Sequence, residues 1–198
     1  MMGIRNRWVW MLLAFLGTPL LGWADQPAAA AATAIDSGIT AWILLSSALV
    51  MFMTPGLAFF YGGLVRRKNI LSILMQCFIL LCLISLQWVF CGYSLAFGPD
   101  IHGFIGNLDF MGFKGVGAAP SSYAPRVPHQ AFAIFQMMFA VITPGLIIGA
   151  FAERMRFSSF CLFSLLWATL VYDPVAHWGC GAGGFLGTMG GWGAVDFA

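Results

Sequence analysis

Four long apolar runs constrain this chain more than any other feature of its sequence. They cover about residues 39–61, 70–97, 131–152 and 157–177, and only the last contains a charged residue, Asp173 near its end. At a rise of 1.5 Å per residue, each run forms a helix of about 30 Å or more, which is enough to cross the hydrocarbon core of a bilayer. Because backbone groups in lipid must be hydrogen-bonded within their own segment, the runs are predicted to be membrane-spanning helices.

The composition supports the same class of protein. Of the 198 residues, 61% are hydrophobic and only 8% are charged, whereas a soluble domain carries about 25% charged residues. The formal net charge of +2 is too small to indicate a nucleic-acid partner. We therefore expect an all-α polytopic membrane protein whose surroundings are the lipid bilayer.

The N-terminus has the pattern of a secretory signal. Arg5 and Arg7 precede a short apolar core from Trp8 to Leu21, and small residues follow it. This pattern predicts a signal peptide over residues 1–24 and an external segment over 25–38. The alternative is that the first apolar core is retained as a membrane helix.

The positions of the charged residues predict the orientation of the chain. Short basic loops separate the first span from the second and the third from the fourth, with the residues Arg66, Arg67, Lys68, Glu153, Arg154 and Arg156. Basic loops of this length face the cytoplasm. The longer Gly98–His129 connection is therefore expected outside, as is the mature N-terminus, in an inner (plasma) membrane.

Chemical motifs of enzymes and metal proteins are missing from the sequence. The five cysteines form no Cys-x-x-Cys pair, and neither Gly-x-Ser-x-Gly nor His-Glu-x-x-His occurs. We predict no enzyme activity, no metal and no cofactor.

The C-terminal region is an unusual ending for a membrane protein. A Gly-rich segment over 179–191 follows the fourth span, and the chain stops two residues after Asp196. Such a segment is a poor helix and favours a loop. From this pattern we expect the chain to be an N-terminal fragment that contains the first four helices of a larger bundle.

Six segments resemble the ammonium transporters (the Amt/Mep/Rh family) in order and spacing. The first contains Thr-Pro-Gly at 54–56 and Phe-Tyr-Gly-Gly-Leu at 60–64, followed by Lys68-Asn69. The six segments are Met53–Asn69, Cys91–Gly98, His129–Ala140, Gly149–Ser158, Tyr172–His177 and Gly193–Ala198. The resemblance implies a fold of eleven helices in two inverted halves, assembled as a homotrimer with one pore per subunit.

The resemblance also implies an external aromatic site for ammonium. Phe139 matches the phenylalanine that stacks over the pore entrance, and Phe135 lies one helical turn above it on the same face. An aromatic face can hold a cation for about 0.5–2 kcal/mol. The alternative is that these rings only pack the helix bundle.

Other site residues follow from the same resemblance. The family places a tryptophan three residues after the histidine of Pro-Val-Ala-His, where this chain has Cys180. Trp178 and Trp192 are the candidates to supply the missing ring. Asp196 matches an aspartate that orders the recruitment site, whereas Asp173, followed by proline, is expected to mark the end of the fourth helix. The three histidines, His102, His129 and His177, are not expected to be pore histidines.

The function that the resemblance implies is transmembrane transport of ammonium or ammonia. An ammonium sensor of the same fold and a non-conducting membrane fragment are the alternatives. A cytoplasmic regulatory protein of the nitrogen-signalling type is an implied partner.

Overall fold

A computed structural model describes residues 35–187 and 192–195 of the chain. The predicted signal peptide over residues 1–24, most of the segment that follows it, and Asp196 lie outside the described residues.

Four helices in the described part are long and apolar enough to cross a membrane, which confirms the all-α polytopic class. They are α1 (Ser37–Leu64), α2 (Arg67–Phe97), α3 (His129–Phe151) and α4 (Phe157–Cys180). Helix α1 packs against α2 and α3, and α4 packs against α2. Aliphatic and small residues fill the space between them, including Ala58, Leu80, Ile84 and Val141, all with 0% exposure.

Helix α1 begins where Asp36 caps it. The Asp36 side chain accepts a hydrogen bond from the backbone N–H of Ile39 at 3.0 Å, which satisfies one of the free donors of the first turn. The same carboxylate pairs with Arg126 at 2.7 Å. The start of α1 is therefore tied to the loop that precedes α3.

Helices α2 and α4 each contain one π-helical turn, at Trp88–Gly92 and Ala168–Tyr172. In α4 the buried residues Phe160, Ser164 and Ala168 follow one another at intervals of four. The next buried residue, Asp173, comes after an interval of five. A π turn adds one residue, so the face that packs inside the bundle continues in a shifted register. Helix α2 shows the same step, with buried residues at Ile84, Trp88, Tyr93 and Phe97.

Helix α3 is interrupted near its end, close to Pro144. Ile147 leaves regular helical geometry with φ −89° and ψ −7°, and the helix resumes at Ile148. The Leu146 carbonyl at the break accepts a hydrogen bond from the Tyr61 hydroxyl at 2.7 Å. Tyr61 can approach because α3 carries Gly149, where a Cβ atom would lie 2.9 Å from the tyrosine ring.

Glu153 joins the two short basic loops. Its carboxylate accepts hydrogen bonds from the backbone N–H of Arg66 at 3.1 Å and from the Asn69 amide at 2.8 Å. It also pairs with the Arg66 guanidinium at 2.9 Å. The hydrogen bonds from Arg66 and Asn69 lower the pKa of Glu153 to about 2. Both loops therefore lie at one end of the bundle.

We expect the Glu153 contacts to make stability sensitive to acid. Because the folded-state pKa is lowered from 4.5 to about 2, the contribution is complete above pH 4.5 and is lost as the pH falls toward 2. Melting temperatures of wild type and Glu153→Gln, measured in detergent from pH 7 to 3, test this. Below pH 4.5, the melting temperature of the wild type should decrease more than that of the variant. Asp109→Asn is the control, and an equal acid response of wild type and Glu153→Gln would contradict the expectation.

The connection between α2 and α3 contains a small hairpin that the all-α interpretation did not include. Strands β1 (Asp100–Ile101) and β2 (Ile105–Gly106) pair antiparallel, with Asp100 opposite Gly106. Each strand has only two residues, which is too short to leave an alternating hydrophobic pattern in the sequence. Beyond the hairpin the connection turns back along α2, where Phe110 and Phe113 pack on the ring of Tyr93.

Candidate functional site

A cavity of about 520 Å³ lies between α2, α3 and α4. Four aromatic residues line it: Phe97, Phe139, Trp167 and Tyr172. The other lining residues are mostly small or aliphatic, and the described lining includes no charged side chain. A site of this composition can hold a small cation against aromatic faces, without a fixed counter-charge.

One face of α3 carries the central side chains of this cavity. Gln136, Phe139 and Thr143 all line it, and spacings of three and four residues place them on one side of the helix. The Thr143 hydroxyl donates a hydrogen bond to the Phe139 carbonyl at 2.6 Å, so its oxygen lone pairs remain available. Phe139 thus lies between an amide and a hydroxyl, about 15 Å along the helix from His129.

Phe135 supports Phe139 from outside the cavity. The two ring centroids are 5.1 Å apart at an interplanar angle of 78°, an edge-to-face arrangement. Phe135 is not among the residues that line the cavity. The structure therefore brings the two predicted rings together, with only Phe139 on the cavity wall.

Trp178 occupies a different place from the one the sequence suggested. Its indole N–H donates to the Phe104 carbonyl at 2.7 Å, and its ring packs against Phe104 and Phe185. Neither Trp178 nor Trp192 belongs to the described cavity lining, but Cys180 does. Successive helical residues differ by about 100° in direction, so Trp178 and Cys180 point to different sides. The structure does not bring Trp178 together with Phe139.

The predicted site residue Asp196 lies outside the described residues. Of the described residues after the Gly-rich segment, Ala194 and Val195 line the cavity.

None of the three histidines lines this cavity. His129 is hydrogen-bonded to the Tyr93 hydroxyl. His177 is fully buried, with Nδ1 at 2.9 Å from the Ala96 carbonyl oxygen and Nε2 at 3.0 Å from Asp100 Oδ1. His177 thus connects the end of α4 to the hairpin.

Asp173 corrects one expectation from the sequence. The helix does not end there but continues to Cys180, and Asp173 is fully buried between α4 and α2. Its Oδ2 atom accepts a hydrogen bond from the Gln87 amide at 2.6 Å. Gln87 is one of two glutamines in the second apolar run, with Gln76, so the sequence did not single it out as the partner of Asp173. Within the described residues, no group of three or more acidic, histidine or cysteine side chains could hold a metal ion.

Four apolar helices, three of which enclose an aromatic-walled cavity, define a class: a multi-pass α-helical membrane protein. Comparison with known proteins identifies the family. Residues 41–198 match the model of the Ammonium Transporter Family, and the chain belongs to this family.

Several ammonium transporters are similar to this chain. That of Bacillus subtilis (strain 168) is 52% identical over 164 residues, which are 83% of this chain and 39% of the relative. That of Aquifex aeolicus is 46% identical over 187 residues, which are 94% and 43% of the two chains. This chain therefore spans about two fifths of the length of these relatives.

Solved structures share the fold. The crystal structure of Saccharomyces cerevisiae Mep2 matches with a TM-score of 0.70 and 41% identity, over 78% of this chain and 35% of that one. Candida albicans Mep2 matches with a TM-score of 0.70 and 37% identity, over 76% and 33%. A sensor Amt protein, at 24% identity and a TM-score of 0.63 over 70% and 33% of the two chains, shows the likeness of fold alone.

Proposed function

We propose that the protein carrying this chain transports ammonium across a membrane and recruits it at the aromatic-walled cavity. The observation that carries the proposal is the position of Phe139 on the wall of that cavity, in a chain of the ammonium transporter family. In this proposal the protein acts as a transporter and not as an enzyme.

The residues of the cavity suit the capture of ammonium. A cation that enters must replace part of its hydration shell, and aromatic faces supply about 0.5–2 kcal/mol of attraction. The Gln136 amide oxygen and the Thr143 hydroxyl are acceptors beside Phe139 for the N–H groups of the cation. Phe139 contacts the arriving cation and limits its passage, and Phe135 holds the Phe139 ring in place. In this proposal Asp196 orders the adjoining segment, and Trp178 holds the Phe104 turn through its hydrogen bond to the Phe104 carbonyl.

The proposed orientation places the two basic loops in the cytoplasm and the Gly98–His129 connection outside. The contacts of Glu153 with Arg66 and Asn69 put both loops at one end, as this orientation requires. Residues 1–24 would direct export as a signal peptide, leaving the mature N-terminus outside an inner (plasma) membrane. A homotrimer and a cytoplasmic regulatory partner are further proposals that follow from the family.

Flux measurement tests the proposal. The full-length protein, reconstituted into proteoliposomes, should produce an ammonium-dependent current or internal pH change under an inward ammonium gradient. An equal potassium gradient and protein-free liposomes are the controls. Binding of ammonium without any flux would favour a sensor, and the absence of both would contradict the proposed function.

A further inference from the structure

Asp173 and Gln87 form a buried polar pair between α4 and α2 that the proposed transport function does not use. Both lie within membrane-spanning helices, and Asp173 is seven residues before the end of α4 at Cys180, about 10 Å from that end. Asp173 is fully buried and Gln87 is 6% exposed. An ionisable side chain at membrane depth is costly to keep charged and is therefore a candidate functional group.

The hydrogen bonds around Gln87 fix the orientation of its amide. The Nε2 atom lies 2.6 Å from Asp173 Oδ2 and 3.2 Å from Thr169 Oγ1. The Thr169 hydroxyl donates its own hydrogen to the Leu165 carbonyl at 3.0 Å, so toward Gln87 it can only accept. The amide atom beside it is therefore the nitrogen and not the oxygen.

This orientation leaves two acceptor oxygens without a hydrogen bond. Within the described part of the chain, neither Gln87 Oε1 nor Asp173 Oδ1 has a hydrogen-bond partner, and both atoms are buried. An ionised carboxylate only accepts hydrogen bonds, whereas a protonated carboxyl group has one O–H to donate. A single proton on Asp173 Oδ1 would let that oxygen donate to Gln87 Oε1. The pair would then have the cyclic pattern of two hydrogen bonds that a carboxylic acid forms with a primary amide.

The surroundings of the pair do not favour an ionised Asp173. The only Lys and Arg side chains of the four described spans are Arg67 and Lys68 at the start of α2, about 30 Å along the helix from the pair. Both ring nitrogens of His177, one turn after Asp173, are already hydrogen-bonded, to a backbone carbonyl and to Asp100. A carboxylate buried without a partner charge is strongly unfavourable. The other titratable side chains on the elements that pack here are Cys91, Tyr93, Tyr172 and His129, of which Tyr93 and His129 are hydrogen-bonded to each other.

We propose that Asp173 binds one proton and shares it with Gln87 Oε1, and that this acid–amide pair positions one wall of the aromatic-walled cavity. Tyr172, the residue before Asp173, lines that cavity, and its ring centroid is 6.2 Å from that of Trp88 in α2. Trp88 directly follows Gln87, so the ring contact and the polar pair are adjacent. Two hydrogen bonds hold α4 against α2 at this point and keep Tyr172 on the wall. The effect on transport rests on the proposed function, whereas the bound proton does not.

Infrared difference spectroscopy of the full-length protein in detergent at pH 7 tests the bound proton. The spectrum of wild type minus Asp173→Asn should contain the C=O stretching band of a protonated carboxyl group. Asp109→Asn is the matched control, because Asp109 is an exposed aspartate of the connection between α2 and α3, and this variant should lose carboxylate bands instead. Loss of carboxylate bands in Asp173→Asn, as expected for an ionised side chain bridged by a cation or a water, would overturn the proposal.

Stability measurements use the same variant. Asparagine reproduces both hydrogen bonds of the neutral acid, because its amide donates to Gln87 Oε1 and accepts from Gln87 Nε2. Asp173→Asn should therefore fold, and a failure to fold would contradict the proposal. In an unfolded chain aspartate has a pKa of about 3.9, so above that pH the folded state holds a proton that the unfolded state has released. The stabilisation from Asp173 then decreases as the pH rises. From pH 5 to 8 the melting temperature of wild type should fall relative to that of Asp173→Asn, and parallel profiles would contradict the bound proton.

Uptake by proteoliposomes tests the positioning of the cavity wall. Gln87→Leu removes both hydrogen bonds of the pair and should reduce ammonium uptake per folded protein, whereas Asp173→Asn, which keeps both, should retain more uptake than Gln87→Leu. Equal uptake by Gln87→Leu and wild type would contradict the positioning role. Absence of uptake by the wild type would contradict the proposed function, and the infrared band would still decide whether Asp173 holds a proton.

Discussion

Replacing Phe139 with alanine should reduce selective ammonium uptake by the full-length protein by about two- to thirtyfold. The range corresponds to the loss of a cation–π contact worth about 0.5–2 kcal/mol. Phe139 lines the cavity and its ring is supported by Phe135. Removing the ring therefore deletes one of the four aromatic faces of the cavity without removing the helix that carries it. Uptake per folded protein in proteoliposomes is the measurement.

Phe132→Ala is the matched control on the same helix. The Phe132 ring packs against Phe97 at 5.3 Å and stacks on Tyr123 at 5.8 Å, in the aromatic core. Its truncation should cost about 3–5 kcal/mol of stability and leave uptake per folded protein close to that of wild type. If Phe139→Ala showed wild-type uptake per folded protein together with a similar loss of stability, only a packing role would remain for Phe139.

The second large effect is expected at Gly106, where the hairpin touches α2. A Cβ atom at Gly106 would lie 2.4 Å from the Ser94 carbonyl oxygen and 2.8 Å from that of Leu95. Both are backbone atoms of a helix, so neither can move aside without breaking the end of α2. Gly106→Ala should therefore destabilise the protein by about 3 kcal/mol and loosen the contact between Asp100 and His177.

Gly117→Ala provides the comparison within the same connection. No atom lies within 4 Å of the Cβ position at Gly117, so the melting temperature of this variant should be close to that of the wild type. Thermal unfolding of the two variants and the wild type, monitored by fluorescence-detected size-exclusion chromatography, compares their melting temperatures. Similar melting temperatures for Gly106→Ala and wild type would show that the hairpin is not tightly docked on α2.

The sequence was sufficient to predict the helices but not their ends. Hydropathy reports how far a segment is apolar, whereas the ends depend on local hydrogen bonds and backbone geometry. Helix α1 begins at Ser37 because Asp36 caps it, two residues before the predicted span. Helix α3 begins at His129, directly after Pro128, and α4 continues to Cys180, where Gly181 adopts an extended conformation.

The candidate site was only partly predictable. The helical period correctly predicted that Phe135 and Phe139 would lie close together, since they are one turn apart on one helix. It did not reveal that, of these two rings, only Phe139 lines the cavity. Which side chain reaches the cavity depends on how α2 and α4 pack against α3. Trp178 was a candidate for the ring missing at Cys180 because it lies only two residues away in the sequence. Two residues that far apart on a helix point in directions that differ by about 200°.

The π turn of α4 has a consequence for how an acid is accommodated in this bundle. A helical wheel drawn for Phe157–Cys180 as one regular α-helix would misplace the residues after the π turn at Ala168–Tyr172 by about 100° relative to those before it. Without the additional residue, Tyr172 rather than Asp173 would follow Ala168 on the side that meets α2, and the carboxylate would turn away from Gln87. The change of register at this one π turn therefore determines whether Asp173 reaches its amide partner Gln87.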